Sequence, residues 1–513
     1  MHPCDPRADA RRQCLAGAQR ATRRRGVSPL HPVRAPRRLS ILSAFDAQAF
    51  SRWDQPAIID RLGRKVSFAD LHFRAGFLAD AWARRGIGPG DRVLIAMGVT
   101  PDLYAALAAL WRLGAVAVLP EPAMGLKGVR TALAAAEVKA WIGAGPLRAL
   151  PLLVPRLLTV KRLSLADGML RGTEPSPEWP DDHPALMSFT SGSTGRAKAI
   201  LRSHGFLAAQ NRAVAPLLAS DRPEVDLVAF PVFVLANLGS GVTSVLPNWP
   251  LRRPDRADGQ AIRAHIARHG VTRLLLPPVL AEALADAPQP ASVTTVFTGG
   301  GPVFPDVVER LTAHNPALRV MAVYGSTEAE PIAELEVSDL SPKDRNRINA
   351  GEGLLAGPPV AAVRVRIVDD EIWVAGDHVV ETYVDPADNA ATKTRDEAGT
   401  IWHRTGDGGR FDAEGRLWLL GRTQGRIEGL WPFAIETAAR SWPGVRRAAL
   451  CPREGRACLA IEGDTAHLAA WSSAAAALGV MQVVPVKAIP LDRRHRSKVD
   501  YARLAETVRG SAV

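Results

Sequence analysis

An α/β fold with a smaller second domain is expected from three observations. Stretches with helical apolar spacing alternate with short apolar strands through most of the chain, a run of short strands and tight turns begins near Val363, and the remainder after Gly421 mixes strands with one helical stretch. In order, residues 71–85 read as a helix, 86–91 (GIGPGD) as a turn and 92–97 as a strand. Residues 103–113 then read as a helix leading into a strand at 115–119, which is βα alternation. From 363 to 376 (VRVRIVDDEIWVAG) and from 410 to 422 (RFDAEGRLWLLGR) the texture is that of a small β-rich subdomain, with Asp412-Ala413-Glu414-Gly415 as a hairpin turn. Beyond Gly421, about 90 residues with a helical stretch at 467–478 suffice for one small α+β domain. The expected organisation is a basic, disordered tail at 1–40, a large domain at 41–421 and a small domain at 422–513. No internal repeat is evident.

Composition narrows the class. With 513 residues, 47% of them hydrophobic and 23% charged, the chain can bury a large core and reads as an ordinary globular protein. Cys4, Cys14, Cys451 and Cys458 are too few and too ill-spaced for a disulfide framework, and no Cys/His pattern has zinc spacing, which fits a reducing cytoplasm. The net charge of +12 invites a nucleic-acid reading, but much of it is arginine before residue 40 (Arg11, Arg12, Arg23, Arg24, Arg25, Arg37, Arg38). That is a basic tail and not a DNA-binding face, so no nucleic-acid partner is expected. No run of about 18 apolar residues exists, so no membrane span is expected.

The most informative segment runs from Ala185 to Lys198 (ALMSFTSGSTGRAK). An apolar strand enters a loop of Thr190, Ser191, Gly192, Ser193, Thr194 and Gly195, where small residues let backbone N–H groups approach an anion and the hydroxyls add donors. Lys198 supplies a positive charge, and a triphosphate is the natural guest. The spacing is not that of a Walker loop, and Ser203 reads as the N-cap of a helix that follows a second strand. A strand at 293–297 ends in Thr298-Gly299-Gly300-Gly301-Pro302, and one at 320–324 ends in Gly325-Ser326-Thr327-Glu328. His403-Arg404-Thr405-Gly406-Asp407, Gly421-Arg422 and Arg494-His495-Arg496-Ser497-Lys498 follow. Each is weak singly; their order is specific.

In these motifs the chain resembles the adenylate-forming superfamily of acyl-CoA synthetases, peptide-synthetase adenylation domains and luciferases, from about residue 40 to the C-terminus. The resemblance implies a large N-terminal domain of α/β subdomains with a small β-barrel, hinged to a mobile C-terminal domain. It also implies an ATP-consuming, AMP-forming activation of a carboxylic acid. The loop 190–195 with Lys198 would hold the β- and γ-phosphates, and Gly299, Gly300 and Gly301 would lie against adenine with Tyr324 stacking nearby. Thr327 would meet the α-phosphate, Glu328 would hold Mg²⁺, Asp407 would accept from the ribose hydroxyls with Arg422 beside it, and Lys498 would bridge carboxylate and α-phosphate. The chemistry asks for such residues: two anions must meet and charge accumulates on phosphoryl oxygens, so positioning and counter-charge dominate.

Departures from the family pattern bear on the second step. In the segment 421–436 (GRTQGRIEGLWPFAIE) Gln424 takes the hinge position, Glu428 replaces a common Lys, and about four residues are missing before Pro432 and Glu436, which puts thioester formation in doubt. Three stretches look like one branch, the olefin β-lactone synthetases, which close an activated β-hydroxy fatty acid on itself: 122–127 (PAMGLK), 230–236 (FPVFVLA) with 239–247 (GSGVTSVLP), and 491–498. Val234 stands where related enzymes carry a pocket His, and Phe230, Phe233, Val234 and Leu235 also read as core. CoA, a carrier protein and the substrate's own hydroxyl stand as alternative acceptors. His204, at a helix start, and His403, on a strand, are read as structural, since neither has a metal partner at ligand spacing.

Overall fold

Strands that are apolar on both faces have to be covered on both, which the chain achieves by interleaving them with helices. The computed structural model describes residues 40–166, 176–190, 197–251, 253–492 and 497–509. Among these, two sheets form the N-terminal body. One runs Lys161–Leu163, Val138–Gly143, Arg92–Ala96, Val116–Leu119, Pro184–Thr190, Lys198–Ser203, parallel except for its last strand. The other runs Ala329–Glu336, Arg319–Ser326, Thr295–Gly299, Arg273–Leu276, Val225–Val228, Thr243–Val245, Pro56–Ile59, Lys65–Ser67, with an antiparallel strand at each edge. Helices Phe68–Arg84 and Pro101–Arg112 serve both sheets: Leu71, Leu78, Trp82, Leu107 and Leu110 share one core with Ile58 of the second sheet and Val93 and Ile95 of the first.

The alternation expected from the sequence is present, and local chemistry explains where the boundaries moved. The helix read at 71–85 starts at Phe68, because Ser67 and Asp70 form a reciprocal capping box. The one read at 103–113 starts at Pro101, whose missing N–H costs nothing in the first turn. The strand read at 293–297 spans Thr295–Gly299, since the Val293 amide is turned back onto the Pro290 carbonyl (2.9 Å) and cannot join the ladder.

The β-rich segment is an antiparallel sheet, Leu354–Gly357, Leu417–Arg422, Ile401–Phe411, Glu371–Ala375, Arg364–Val368, with Lys393–Arg395 on the middle strand. Bridges from Ala329 to Val379 and from Ala333 to Pro359 tie this region to the edge of the large sheet. The hairpin at 412–415 forms as read, with Asp412 Oδ1 accepting from the amides of Glu414 (3.2 Å) and Arg416 (2.8 Å).

The C-terminal part is a sheet of Val445–Arg453, Arg456–Gly463 and Gln482–Pro485. Helices Pro432–Arg440 and Leu468–Ala477 bury Ile435, Ala439 and Trp471 on one face, and Tyr501–Arg509 buries Leu504 and Val508 on the other. Cys451 and Cys458 face each other across its central pair as buried free thiols.

Beneath the large sheet, Arg273 donates to both carboxylate oxygens of Asp226 (2.7 and 2.8 Å), and Asn237 adds a third bond (3.0 Å); neither charged side chain is more than 3% exposed. Removing one partner strands the other charge, so Asp226→Ala is expected to lower unfolding free energy by about 3–5 kcal/mol. Urea unfolding followed by tryptophan fluorescence checks this; an unchanged midpoint would show the pair to be dispensable.

Candidate functional site

Parallel strands present their C-terminal ends together, and the sequence motifs sit at those ends. Thr295–Gly299 and Arg319–Ser326 pair in parallel, with Gly299 opposite Val323. A side chain at Gly299 would collide with the Val323 carbonyl (2.4 Å), and Gly300 has φ +77°, so this ledge is glycine for steric and conformational reasons. Pro184–Thr190 pairs with Lys198–Ser203 in register Thr190 to Lys198, placing the lysine across from the strand end. Thr190 Oγ1 is buried with no hydrogen-bond partner among the described residues. Ser191, Gly192, Ser193, Thr194 and Gly195 lie outside the described residues.

Asp407 is fixed from two sides. The Tyr324 hydroxyl donates to Oδ2 (2.9 Å), and Arg422, its cross-strand partner, sits 3.3 Å from Oδ1 while donating to the Thr405 carbonyl (2.7 Å). Burial and the Asp407 charge push the Tyr324 phenol far above its ordinary pKa, so it stays a donor.

Glu328 is held similarly. Its Oε1 accepts from the Tyr383 hydroxyl (2.9 Å), whose ring lies 5.0 Å from Lys198 Nζ and 5.1 Å from Lys393 Nζ. Burial raises the Glu328 pKa, but the Tyr383 hydroxyl and Lys393 act against it, and the carboxyl is held below its usual range. Burial, together with Lys198, pushes Lys393 down to about 7 against the pull of Glu328. Burial and Lys393 push His403 down to about 3, so this ring is neutral. Arg202 closes the cluster from behind, donating to the Thr327 carbonyl (2.6 Å) and to Ser188 Oγ. Ser203, not His204, caps the next helix, through Oγ to the Phe206 amide (3.1 Å). Val234 is buried core, as the apolar reading of its segment allows.

Lys498 arrives from the other domain. Asp492 Oδ1 accepts from the amides of Ser497 (3.2 Å) and Lys498 (3.1 Å), the Asp492 amide donates to the Lys498 carbonyl (2.8 Å), and Leu491 bridges to Val499. This staple lays Ser497 on the glycine ledge, where a Cβ on Gly301 would come within 2.8 Å of the serine Cβ. A cavity of about 180 Å³ is left between the domains, walled by Gly300, Gly301, Tyr324, Asp407, Arg422 and Lys498. The domains are clamped beside it. Arg440, only 6% exposed, donates to both oxygens of Asp306 (2.7 Å each) with its guanidinium 4.4 Å from the Phe304 ring, and Arg447 donates to Glu282 (2.6 Å).

The structure therefore brings Gly300, Gly301, Tyr324, Asp407, Arg422 and Lys498 to one cavity, with Glu328, Thr327, Thr190 and Lys198 on the adjoining strand ends. Sequence reasoning missed Tyr383, Lys393, Arg202, Asp492 and the Arg440–Asp306 clamp. A signal for Lys393 existed: the chain carries only nine lysines among 64 Lys and Arg, and three of them (Lys198, Lys393, Lys498) stand in this region. Among the described residues no three His, Cys, Asp or Glu side chains gather as metal ligands. An anionic carboxylate beside hydroxyl donors suits Mg²⁺, a hard ion that takes one or two carboxylates and completes its shell with water and substrate phosphates.

Comparison with known proteins agrees with this geometry. Residues 45–384 match the family model described as AMP-binding enzyme. The chain is 31% identical to the olefin beta-lactone synthetase of Xanthomonas campestris pv. campestris, over 86% of this chain and 90% of that protein. It is also 31% identical to the enzyme so named in Stenotrophomonas maltophilia, with the same coverage. Among solved structures, the amide bond synthetase McbA from Marinactinospora thermotolerans shares the fold at TM-score 0.76 and 24% identity, covering 91% of this chain and 99% of that one. The o-succinylbenzoate CoA synthetase MenE from Bacillus subtilis, solved with ATP and magnesium, shares it at TM-score 0.72 and 21% identity, covering 90% and 98%. With the strand-end motifs in family order and the second domain closed over them, the chain belongs to the AMP-binding enzyme family and is an AMP-forming, acid-activating enzyme.

Proposed function

We propose that the chain takes ATP and a β-hydroxy fatty acid, forms the acyl-adenylate, and lets the substrate's own hydroxyl displace AMP to give a β-lactone. The observation that carries the first half is the single cavity in which Lys498 of the small domain meets Tyr324, Asp407 and the glycine ledge of the large one. On this reading the division between domains falls at 421/422, and residues 1–40 are a tail outside the catalytic machinery.

The ledge of Gly299, Gly300 and Gly301 would receive adenine, with Tyr324 against it, and Asp407, held by Tyr324 and Arg422, would accept from the ribose hydroxyls. Thr190, Ser191, Gly192, Ser193, Thr194 and Gly195 with Lys198 would cradle the β- and γ-phosphates, and Thr327 would donate to the α-phosphate. Glu328 would hold Mg²⁺ with its carboxylate fixed by Tyr383; bound there, the ion would neutralise phosphate charge. Lys498 would draw carboxylate and α-phosphorus together. The carboxylate oxygen attacks phosphorus and pyrophosphate leaves; the β-hydroxyl oxygen then attacks the acyl carbon, AMP leaves, and the hydroxyl proton passes to solvent.

The second half rests on the relatives named above and on the segment joining the domains. Glu428, where many relatives carry a lysine, is turned away from the cavity and accepts from the Ala457 amide (2.7 Å). Trp431 packs on Gly408, where any Cβ would come within 2.3 Å of the ring, and Pro432 packs on Gly421. A segment so seated favours one domain arrangement, which suffices when the second nucleophile is already part of the substrate.

Three outcomes are expected. Lys498→Ala should lower adenylate formation about 10²–10³-fold, read as ATP–pyrophosphate exchange, while ATP binding persists; exchange at the wild-type rate would remove Lys498 from the mechanism. Tyr383→Phe keeps the ring but frees Glu328, so the Mg²⁺ concentration for half-maximal ATP binding in titration calorimetry should rise about tenfold. An unchanged Mg²⁺ requirement would make Tyr383 merely structural. Incubation with ATP, Mg²⁺ and a panel of fatty and β-hydroxy fatty acids should yield AMP and, without CoA, a product one water lighter than the hydroxy acid by mass spectrometry. AMP release only with CoA, and an acyl-CoA mass, would make the enzyme a CoA ligase.

A further inference from the structure

The connection that follows strand Val138–Gly143 consists of two 3₁₀ segments, Gly145–Leu152 and Pro155–Leu158. Its inward side is ordinary core: Leu150, Val154 and Leu157 pack with Trp141, Val129 and Leu133. Its outward side is not ordinary. Leu152 is 82% exposed, Leu158 73%, Leu153 57% and Leu147 39%, so four large apolar side chains within twelve residues face water. Single exposed leucines need no explanation, but a cluster marks a surface that meets something. None of the four fills a gap in the core, so packing alone does not call for leucine there.

The charges around this cluster say what that partner is. Between Glu137 and Asp167 the sequence carries no acidic residue, while Arg148, Arg156, Lys161 and Arg162 are all exposed, and Arg130 joins them by donating to the Leu153 carbonyl (3.2 Å). Among the described residues none of these five makes an ion pair. Lys161 is tied to the Arg85 carbonyl (2.8 Å) and Arg162 lies over the Trp141 ring, but neither charge is neutralised; exposed leucines rimmed by basic side chains without acidic partners match an anionic lipid surface, where apolar side chains enter the headgroup boundary and each nearby cation is attracted by the surface potential. A protein partner of matching character would need its own acidic rim, and a second copy meeting this face with the same face would bring none, since residues 138–166 carry no acid.

We propose that the 145–162 surface docks the enzyme peripherally on anionic membranes, with Leu152, Leu153 and Leu158 inserted and the arginines at the phosphates. Among the described residues no helix is long and apolar enough to cross a membrane, so the contact is interfacial. Acids with long hydrocarbon chains partition into bilayers, so such docking would bring the site to its substrate; the binding itself does not depend on which acid is activated.

The test is co-sedimentation of the full chain with vesicles of phosphatidylcholine alone and of phosphatidylcholine with phosphatidylglycerol, at low and at high salt. Wild type is expected to bind the anionic vesicles, and Leu152→Ser, Leu153→Ser and Leu158→Ser together to lower the partition coefficient about tenfold or more with thermal stability unchanged. Arg148→Glu with Arg156→Glu should lower it on anionic vesicles only. Failure of wild type to sediment would overturn the proposal, as would equal binding by the leucine variant, which would assign the effect to the basic N-terminal tail. Leucine-dependent self-association by light scattering, without vesicle binding, would assign the surface to a protein contact instead. Because vesicle binding and product mass are separate readouts, this proposal and the β-lactone reading fail independently.

Discussion

The bidentate bond between Arg440 and Asp306 decides whether there is a site at all. The glycine ledge, Tyr324 and Asp407 belong to one domain and Lys498 to the other, and a small domain tethered at one point has many ways to lie on a large one. A nearly buried guanidinium meeting both oxygens of one carboxylate, at 2.7 Å each, permits few of them. Such a pair contributes little net stability, because desolvation offsets much of its attraction; its effect is on geometry, since any other docking strands a charge. Phe304 supplies an aromatic face to Arg440 and Arg447 repeats the arrangement at Glu282, so the orientation is fixed at two points.

Within that frame the same device appears twice. Asp407 and Glu328 are carboxylates that each accept a hydrogen bond from a tyrosine, the half-buried Tyr324 and the buried Tyr383. Both phenols are pushed well above their ordinary range by burial and by the carboxylate itself, so each is a permanent donor. The effect is to lock one oxygen and leave the carboxylate's remaining capacity aimed at whatever enters. Lys198, near the Tyr383 ring, places positive charge in the cluster before any phosphate arrives, and Lys393, on the same ring and held to about 7, adds to it in part at neutral pH. Charge organised in advance in a low-dielectric recess needs no rearrangement during the reaction, which is where most electrostatic catalysis originates.

What the sequence revealed and what it withheld follow from how each feature is encoded. Gly299, Thr327, Glu328 and Asp407 are local: a strand end fixes where they point, and their order along the chain carries the family pattern. The alternating helices and strands were legible for the same reason, with errors only at ends set by capping, as at Ser67, or by a turn, as at Val293. Lys393 is different, because it approaches Glu328 only through its pairing with His403 on a strand ten residues later. Asp306 and Arg440 are 134 residues apart and meet only when two domains dock. No spacing rule encodes those meetings, and Asp492 reads as one more loop acid until its side chain is seen gathering the amides of Ser497 and Lys498.

The segment between the domains connects this geometry to the choice of nucleophile. An enzyme that passes its acyl group to a separate thiol must admit that thiol after pyrophosphate leaves, which favours a second docking of the small domain and a channel for the carrier. Here Glu428 is taken up by the Ala457 amide within its own domain, and Trp431 packs on Gly408 and Pro432 on Gly421 of the large one, so the connecting residues are bound into the closed arrangement at two points. Leaving it would break those contacts together with the Arg440 and Arg447 ion pairs. A hydroxyl carried by the substrate removes the need: it is already beside the acyl carbon when the adenylate forms, and closure to a four-membered ring requires exclusion of water more than the opening of a door. The shortened hinge, the fixed clamp and an internal nucleophile are on this reading one adaptation, in which the arrangement that makes the adenylate is also the one that consumes it.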